Sequence, residues 1–238
     1  MTSIAVTDLN ELMNVTVIDA IPFDIPPDHL YPMMRVTAGS DRARHLDALL
    51  TEASGIARPK IAYKLAAIEH GNDSTVFIDG IPLKSRLVKT NLKDHRRAFP
   101  FIATCGTELD EWSRTRCNTL DTFWADTITM LALGTALTTF KEHIRERFGT
   151  GPTSTMNPGS LEGWPLEEQH RLFSLLGDAP AAIGVRLTEK TMMIPLKSVS
   201  GLEFESDIPF CNCRLCPRKD CGGRLAPYDR ELHEAMLG

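Results

Sequence analysis

The chain has 238 residues, of which 42% are hydrophobic and 24% are charged, and its formal net charge is −5. This size and composition fit one globular domain, with or without a small appendage. The negative charge argues against nucleic-acid binding through global charge, and no run approaches the roughly 18 apolar residues of a membrane-spanning helix. The first residues lack the basic and apolar regions of a secretory signal, so we expect a cytoplasmic protein without membrane contact.

The N-terminal half of the chain predicts an extended segment followed by helices and strands. Prolines within residues 14–37 oppose a long helix, so we expect extended chain that crosses the surface. Leu46 and Leu50 recur at helical spacing after Ser40, a residue type that favours helix N-termini, and predict a helix over residues 41–54. The other predicted elements are a helix over 60–69, a hairpin of strands 75–79 and 83–88 around Gly80, Ile81 and Pro82, a short helix from Asn91 to Arg97, and a buried strand over 99–104.

The C-terminal half is dominated by one long predicted helix over residues 121–148. Its apolar stripe includes Phe123, Ile128 and Phe140, and the basic residues at its C-terminal end are favourable against the helix dipole. A loop rich in Gly, Pro, Ser and Thr follows over residues 150–164, and loops of that length are often functional. The remaining predicted elements are a helix over 108–117 capped by Thr107, a helix from Pro165 to Leu176, strands over 183–187 and 199–205, and a helix over 229–236.

These elements place the chain in the α+β class, with one main domain over residues 1–208 and a small cysteine-rich module over residues 209–238. Cys105 follows a predicted strand, and because the sequence identifies no partner histidine we expect a core residue rather than a catalytic thiol. The same expectation holds for Cys117. Trp164 is expected to pack against the helix that follows it.

Four of the six cysteines lie close together in the C-terminal module. Cys211, Cys213, Cys216 and Cys221 follow the pattern C-x-C-x2-C-x4-C, in which short loops can bring four thiolates to one centre. Residues 211–230 contain five basic and two acidic side chains, a net charge of +3, whereas the whole chain is negative. This positive environment stabilises thiolates and offsets the charge of a four-thiolate centre. We therefore predict a metal site formed by these four cysteines.

The identity of the metal is not decided by the spacing. Zinc and iron–sulfur clusters both take four cysteine ligands, and the pattern matches neither the common zinc ribbon nor the ferredoxin run. We favour an iron–sulfur cluster with a redox role. A structural zinc that holds the short module together is the alternative, and a dithiol without metal is the third possibility.

Three further segments of the main domain share a recognisable combination of residues. Together they resemble the activation domain of cobalamin-dependent methionine synthase, above all its short stand-alone members, over about residues 40–205. The last segment is the most specific of the three. The segments are FIATCGTE from Phe101 to Glu108, MNPG from Met156 to Gly159 with its continuation to Gln169, and IGVRLTEKTMMIPLKSVSG from Ile183 to Gly201.

The resemblance implies a specific fold and function. The fold would be a twisted antiparallel sheet with helices packed on it. The family binds S-adenosylmethionine and docks over a cobalamin-binding domain, where cobalt in the inactive Co(II) state is reduced and remethylated. Stand-alone relatives are thought to serve corrinoid methyltransferases as separate chains, so the partner would carry the cobalamin.

The sequence departs from the family at the S-adenosylmethionine loop, which runs Arg-x-x-x-Gly-Tyr. Aligning the family glycine with Gly159 puts Thr155 at the arginine position and Ser160 at the tyrosine position. A threonine cannot make the two-pronged contact that an arginine makes with a carboxylate. The family's acidic residue on the preceding long helix also has no clear counterpart near Leu137. Asn157, Pro158 and Gly159 remain as the candidate cofactor-binding residues.

The leading hypothesis is an accessory protein that reactivates a corrinoid-dependent methyltransferase, with the cysteine-rich tail passing an electron toward Co(II). One alternative is a non-catalytic module that binds a corrinoid protein and contains a structural zinc. A second alternative is a methyltransferase that uses S-adenosylmethionine, against which the residues at the loop argue.

Overall fold

The computed structural model describes residues 14–72, 74–160, 163–206, 212–220, 224 and 226–237. The centre of the fold is an antiparallel sheet, and a separate two-stranded ribbon is formed by β8 and β9. The strands are β1 (Thr16–Ile18), β2 (Lys60–Tyr63), β3 (Ala66–His70), β4 (Thr75–Ile78), β5 (Ile81–Lys84), β6 (Arg97–Thr104), β7 (Thr153–Met156), β8 (Arg186–Leu187), β9 (Met193–Ile194) and β10 (Ser198–Glu205).

Strand β6 holds the sheet together because it pairs along both of its edges. One edge pairs with β2 and β3, which continue to β1 and to the hairpin of β4 and β5. The other edge pairs with β10, whose outer edge pairs with β7. All of these pairs are antiparallel. The apolar sequence of β6 suits this central position, since residues 98–104 are buried and helices cover both faces of the strand.

Helices pack on both faces of this sheet. The longest, α5, has its side-chain cap at Asn118, which accepts a hydrogen bond from the backbone of Asp121, and it ends at Gly149 in the left-handed conformation. The helices are α1 (Pro27–Met34), α2 (Asp41–Ile56), α3 (Arg86–Leu92), α4 (Thr107–Arg114), α5 (Thr119–Phe148), a 3-10 turn (Leu166–Glu168), α6 (Gln169–Leu176), α7 (Ala179–Ala182), α8 (Asn212–Leu215) and α9 (Arg230–Leu237).

Alternation along β6 decides which helices cover which face. Phe99 and Phe101 point to the face on which α5 packs through Phe140 and Ile144. Ala98 points to the opposite face, which α3 and α6 cover. The N-terminal half of α5 extends past the sheet and packs with α1, α2 and α4 in a second helical cluster. The prediction of an α+β fold with an antiparallel sheet and packed helices is confirmed.

The structure corrects several predicted elements. Residues 60–69 form β2 and β3 rather than a helix. The helix predicted from Asn91 to Arg97 is wrong over most of its length, since the helix in this region spans Arg86–Leu92. Ser85 caps it by accepting a hydrogen bond from the backbone of Val88 at 3.1 Å. The extended segment 14–37 contains α1, which begins at a proline in the favoured first position.

The C-terminal residues that the structure describes contact the main domain. Helices α8 and α9 contact each other, and α9 contacts α3. Cys211 and Cys221 lie outside the described residues, so the cysteine-rich module remains a prediction. Within the described ranges, no helix has both the length and the apolar character that crossing a bilayer requires.

Candidate functional site

A groove runs between α5 and the sheet edge formed by β7 and β10, and we call it the α5–β7 groove. It has an apolar segment of about 370 Å³ and a polar segment of about 450 Å³. Thr138 and Lys141 line both segments, so the two are continuous. The apolar segment is also lined by Phe101, Gly134, Leu137, Thr155, Asn157 and Val199, and the polar segment by Glu142, Arg145, Thr150, Gly151, Pro152 and Thr153.

The floor of the groove depends on Gly201 of β10. The period of a strand places Val199, Gly201 and Glu203 on one face, toward α5. A Cβ atom on Gly201 would lie 2.7 Å from the carbonyl oxygen of Met156 and 2.7 Å from Nδ2 of Asn157. A side chain at this position would therefore push β7 away, and glycine permits the close approach.

The turn predicted to bind a cofactor adjoins the apolar segment. Asn157 donates its amide to the carbonyl of Ser200 at 2.9 Å and lines the groove. Pro158 is buried, and Gly159 has a φ of +77° that glycine adopts without strain. The amide of Gly159 donates to the carbonyl of Trp164 at 2.8 Å. Of the three residues, Asn157 contributes a side chain to the groove, while the other two shape the turn.

A buried carboxylate lies beside the groove, and the sequence analysis did not single it out. Glu203 is fully buried and is the cross-strand partner of Thr155, whose hydroxyl donates to Glu203 Oε2. The ammonium of Lys141 lies 3.3 Å from Oε1, although no hydrogen bond from the described residues reaches that oxygen. Thr155, which aligns with the arginine of the family loop, is thus hydrogen-bonded to a carboxylate of its own chain. Ser160, at the tyrosine position, is exposed.

Sequence reasoning missed four groove residues: Lys141, Arg145, Thr150 and Glu203. The two cations were interpreted as partners of the helix dipole, and Glu203 stood between two apolar residues in a predicted strand. For Lys141 and Arg145, the available signal was their spacing on α5, because positions 134, 138, 141 and 145 share one helical face. Nothing in the sequence indicated that β7 would form within the predicted loop and complete the opposite wall.

Trp164 and Cys105 both belong to the core, as expected. Trp164 is fully buried and packs in a cluster with Leu172 and Leu175 of α6. Cys105 is also fully buried, and burial raises the pKa of its thiol to about 12, with a smaller effect of the Asp110 carboxylate. A thiol in this environment does not act as a nucleophile near neutral pH.

Thiol labelling should therefore separate the two cysteines of the main domain. Cys117 is exposed, contrary to the expectation of a core residue, and it should react with iodoacetamide in the native protein. Cys105 should react only after unfolding, because its thiol is both buried and protonated. Peptide mass spectrometry after a timed pulse measures both sites in one sample. Equal labelling of the two cysteines in the folded protein would contradict the assignment.

An arginine organises the described part of the cysteine-rich tail. The guanidinium of Arg224 donates to the carbonyls of Cys213 at 3.0 Å and Cys216 at 3.3 Å, so both cysteines turn their backbone toward the same cation. Arg214 pairs with Asp229 at 2.7 Å and joins the two tail helices. No group of three or more metal-ligating side chains occurs among the described residues. The four-cysteine site therefore stays a prediction.

Comparisons with known proteins bear on the fold. No family model matches the chain, and no curated protein matches it by sequence. Among solved structures, the chain is similar to one described as the crystal structure of the MetH reactivation domain bound to AdoHcy, with a TM-score of 0.58 and 14% identity. The similarity covers 81% of this chain and 78% of that chain. The fold is that of the MetH reactivation domain. The resemblance noted from the three sequence segments is thus confirmed, while the low identity limits the comparison to the fold.

Proposed function

We propose that the protein is an accessory factor that docks on the cobalamin-binding domain of a corrinoid-dependent methyltransferase and assists its return from Co(II) to the methylated state. The observation that carries this proposal is the similarity to the MetH reactivation domain across 81% of the chain. The segments that suggested the same family in the sequence include β6, the turn at residues 156–159, and β10. Each of these elements contributes a side chain to the lining of the groove, namely Phe101, Asn157 and Val199.

The chemistry of reactivation divides into two steps. Co(II) first gains one electron and becomes Co(I), and Co(I) then takes the methyl group of S-adenosylmethionine and leaves S-adenosylhomocysteine. Each step needs a different contribution from an accessory protein: a route for the electron, and a site that presents the methyl donor. The cysteine-rich tail is the part of this chain proposed for the electron. The α5–β7 groove is the candidate site for the methyl donor only if the chain binds S-adenosylmethionine.

Reconstitution tests the proposal directly. A corrinoid methyltransferase in the cob(II)alamin state is mixed with titanium(III) citrate and S-adenosylmethionine, with and without this protein. We expect the protein to accelerate the loss of the cob(II)alamin absorption and electron paramagnetic resonance signals and the appearance of methylcobalamin. A stoichiometric complex without any rate effect would support the alternative of a non-catalytic binding module. Absence of both complex and rate effect would contradict the docking proposal for that partner class.

An S-adenosylmethionine-binding function is the second candidate. It is favoured by the groove beside Asn157 and by the AdoHcy bound to the similar structure. Against it stands Thr155, which is engaged with Glu203 and offers no guanidinium to a carboxylate. Calorimetric titration of the protein with S-adenosylmethionine separates the cases, because a reactivation factor that only relays electrons should release no binding heat.

For the electron, we propose that Cys211, Cys213, Cys216 and Cys221 hold an iron–sulfur cluster. Support comes from their spacing and from the excess of basic residues around them. It also comes from Arg224, which donates hydrogen bonds to the carbonyls of Cys213 and Cys216. The described part of the tail contacts α3, on the sheet face opposite α5. The described part of the tail and the α5–β7 groove therefore lie against opposite faces of the sheet.

Metal analysis tests the cluster. After anaerobic purification we expect iron, inorganic sulfide and visible absorption, and we expect the variant C213S/C216S to lose all three. Cys117→Ser is the matched control, since Cys117 lies outside the tail and is exposed. One zinc per chain without a chromophore would replace the redox proposal with the structural alternative. A metal content unchanged by C213S/C216S would reject the tail as the site.

A further inference from the structure

One stretch of the chain, from the end of β5 to the start of β6, is strongly basic. Residues 84–97 contain six basic side chains and one acidic side chain, although the whole chain has a net charge of −5. Lys84, Arg86, Lys93 and Arg96 of this stretch are exposed to solvent. A local excess of positive charge on a negative protein creates a field that attracts acidic partners to one place on the surface.

Part of this stretch lines a cavity of about 480 Å³ between the end of β3 and the start of β6, and we call it the β3–β6 corner. A further cation stands beside it, since the ammonium of Lys89 donates to the carbonyl of Gly71 at 3.0 Å. Ile68 of the corner packs with α3 on the sheet face opposite α5, so the corner is separate from the α5–β7 groove. The corner is lined by Ile68, His70, Lys93, Asp94, His95 and Arg96.

The acidic residues around the corner do not cancel its charge. Among the described residues, Asp94 is the one carboxylate that lines the cavity, and it lies 3.9 Å from the ammonium of Lys93. Glu205 is paired with the guanidinium of Arg97 at 3.0 Å. Side chains alternate along β3, so Glu69 points to the face opposite that of the corner. The corner thus keeps an excess of positive charge from two lysines and an arginine.

His95 places a hydrogen-bond acceptor in the wall of the corner. Its Nε2 contacts the carbonyl oxygen of Glu205, and since a carbonyl only accepts, Nε2 carries the proton and Nδ1 of the neutral ring has a lone pair. The ring is held edge-on to Phe204, with the two centroids 5.3 Å apart. Nδ1 is buried and makes no hydrogen bond with any described residue, which is uncommon for a buried polar atom. A peptide N–H that enters the corner would supply the missing donor.

These features favour an acidic peptide segment over a nucleic acid. A duplex presents one phosphate charge per about 1.7 Å along a stiff rod and needs an extended positive stripe, whereas the corner is one cavity on a chain of net charge −5. The phosphate backbone also has no N–H group to offer to Nδ1 of His95. Glutamate and aspartate side chains match the lysines and the arginine, and the main chain of the same peptide supplies N–H donors.

We propose that the β3–β6 corner is a docking site for a carboxylate-rich segment of a protein partner, with the carboxylates on Lys93 and Arg96 and a backbone N–H on His95. This inference goes beyond the proposed function, because it concerns a second surface, separate from the α5–β7 groove, and needs no corrinoid. Exposed charges at an interface mainly speed association and fix the orientation of the partner. The corner would therefore steer the approach of an acidic protein to the α3 side of the sheet.

Fluorescence anisotropy with the full chain tests the proposal. The probes are a labelled peptide of alternating Glu and Gly, its counterpart of alternating Gln and Gly, and a labelled DNA duplex of matched charge. We expect the Glu peptide to bind about tenfold more tightly than the Gln peptide, as for a charge-assisted hydrogen bond, and to lose most of this advantage at high salt. The duplex should bind more weakly than the Glu peptide.

Paired variants make the test specific to the corner. K93Q/R96Q should remove the advantage of the Glu peptide, because it takes away the two exposed cations that line the cavity. R42Q/K190Q is the control, since Arg42 and Lys190 are also exposed but lie on α2 and in the loop between β8 and β9. The charge reversal K93E/R96E should bind a peptide of alternating Lys and Gly in place of the Glu peptide, a gain that a loss of folding cannot produce.

Four results would overturn the proposal. Equal affinity for the Glu and Gln peptides would show that the corner does not select carboxylates. Equal losses of affinity in K93Q/R96Q and R42Q/K190Q would show only a long-range influence of net charge. Tighter binding of the duplex than of the Glu peptide would assign the surface to a nucleic acid. A K93E/R96E variant without a preference for the Lys peptide would show that these two side chains do not contact the probe.

Discussion

Replacing Lys141 with Met is expected to lower the free energy of unfolding by about 3 kcal/mol, because it leaves the carboxylate of Glu203 buried without a counter-charge. Breaking a fully buried pair costs about 3–5 kcal/mol, and the lower end applies here since the Lys141 side chain is 45% exposed. The methionine keeps most of the hydrophobic stem. Urea unfolding followed by circular dichroism measures the change.

The control is the partner residue. Glu203→Gln keeps an oxygen that accepts the hydroxyl of Thr155 and removes the buried charge, so it should change stability far less than K141M. Combining the two substitutions should recover most of the loss, and the double-mutant cycle then gives the coupling between the side chains. A double variant as unstable as K141M alone would show that packing of the lysine stem, rather than the charge, is what matters.

Replacing Phe140 with Ala is expected to destabilise the protein by about 3–5 kcal/mol, the usual cost of emptying a large aromatic site in a core. Phe140 is fully buried, and its ring centroid lies 5.1 Å from those of Tyr63 and Phe101. It is one of the buried residues through which α5 packs on the sheet. Because α5 forms one wall of the groove, the variant should also weaken the binding of any ligand in the groove.

An exposed aromatic residue on the same helix provides the comparison. Phe123 is 56% exposed near the N-terminal end of α5, and Phe123→Ala should stay within about 0.5 kcal/mol of the unaltered protein. Thermal and urea unfolding of both variants under one set of conditions measure the difference. Similar losses of unfolding free energy for F140A and F123A would mean that Phe123 is also packed. That result would contradict the exposure of Phe123 in the structure.

Elements with strong local signals were predicted well from the sequence. The helix expected over residues 121–148 spans Thr119–Phe148, since a cap at Asn118, a glycine stop and a helical apolar pattern all act within a few residues. The hairpin of β4 and β5 was also predicted, although the turn is at Asp79 and Gly80, which have the positive φ angles of a tight hairpin turn.

Elements whose signal is not local were predicted poorly. Residues 60–69 are mostly apolar and include three alanines, a pattern that favours a helix as much as a strand buried on both faces. In the fold, Ile61 packs toward α5 while Ala62 packs toward the opposite face. The segment forms a strand because it pairs with β6. Strand β7 within the expected loop exists for the same reason, because β10 offers it an unpaired edge.

The sequence by itself determined the fold class, the long helix and the four clustered cysteines, because periodicity, caps and spacing are properties of neighbouring residues. The likeness to a reactivation domain came from the resemblance of three segments to that family. Only the tertiary structure decided that Glu203 is buried, that Lys141 and Thr155 contact it, and that Arg145 and Thr150 line the same segment of the groove. These side chains come from α5, β7, β10 and the loop after α5, and their charges and hydroxyl groups acquire a role only when the sheet brings them together.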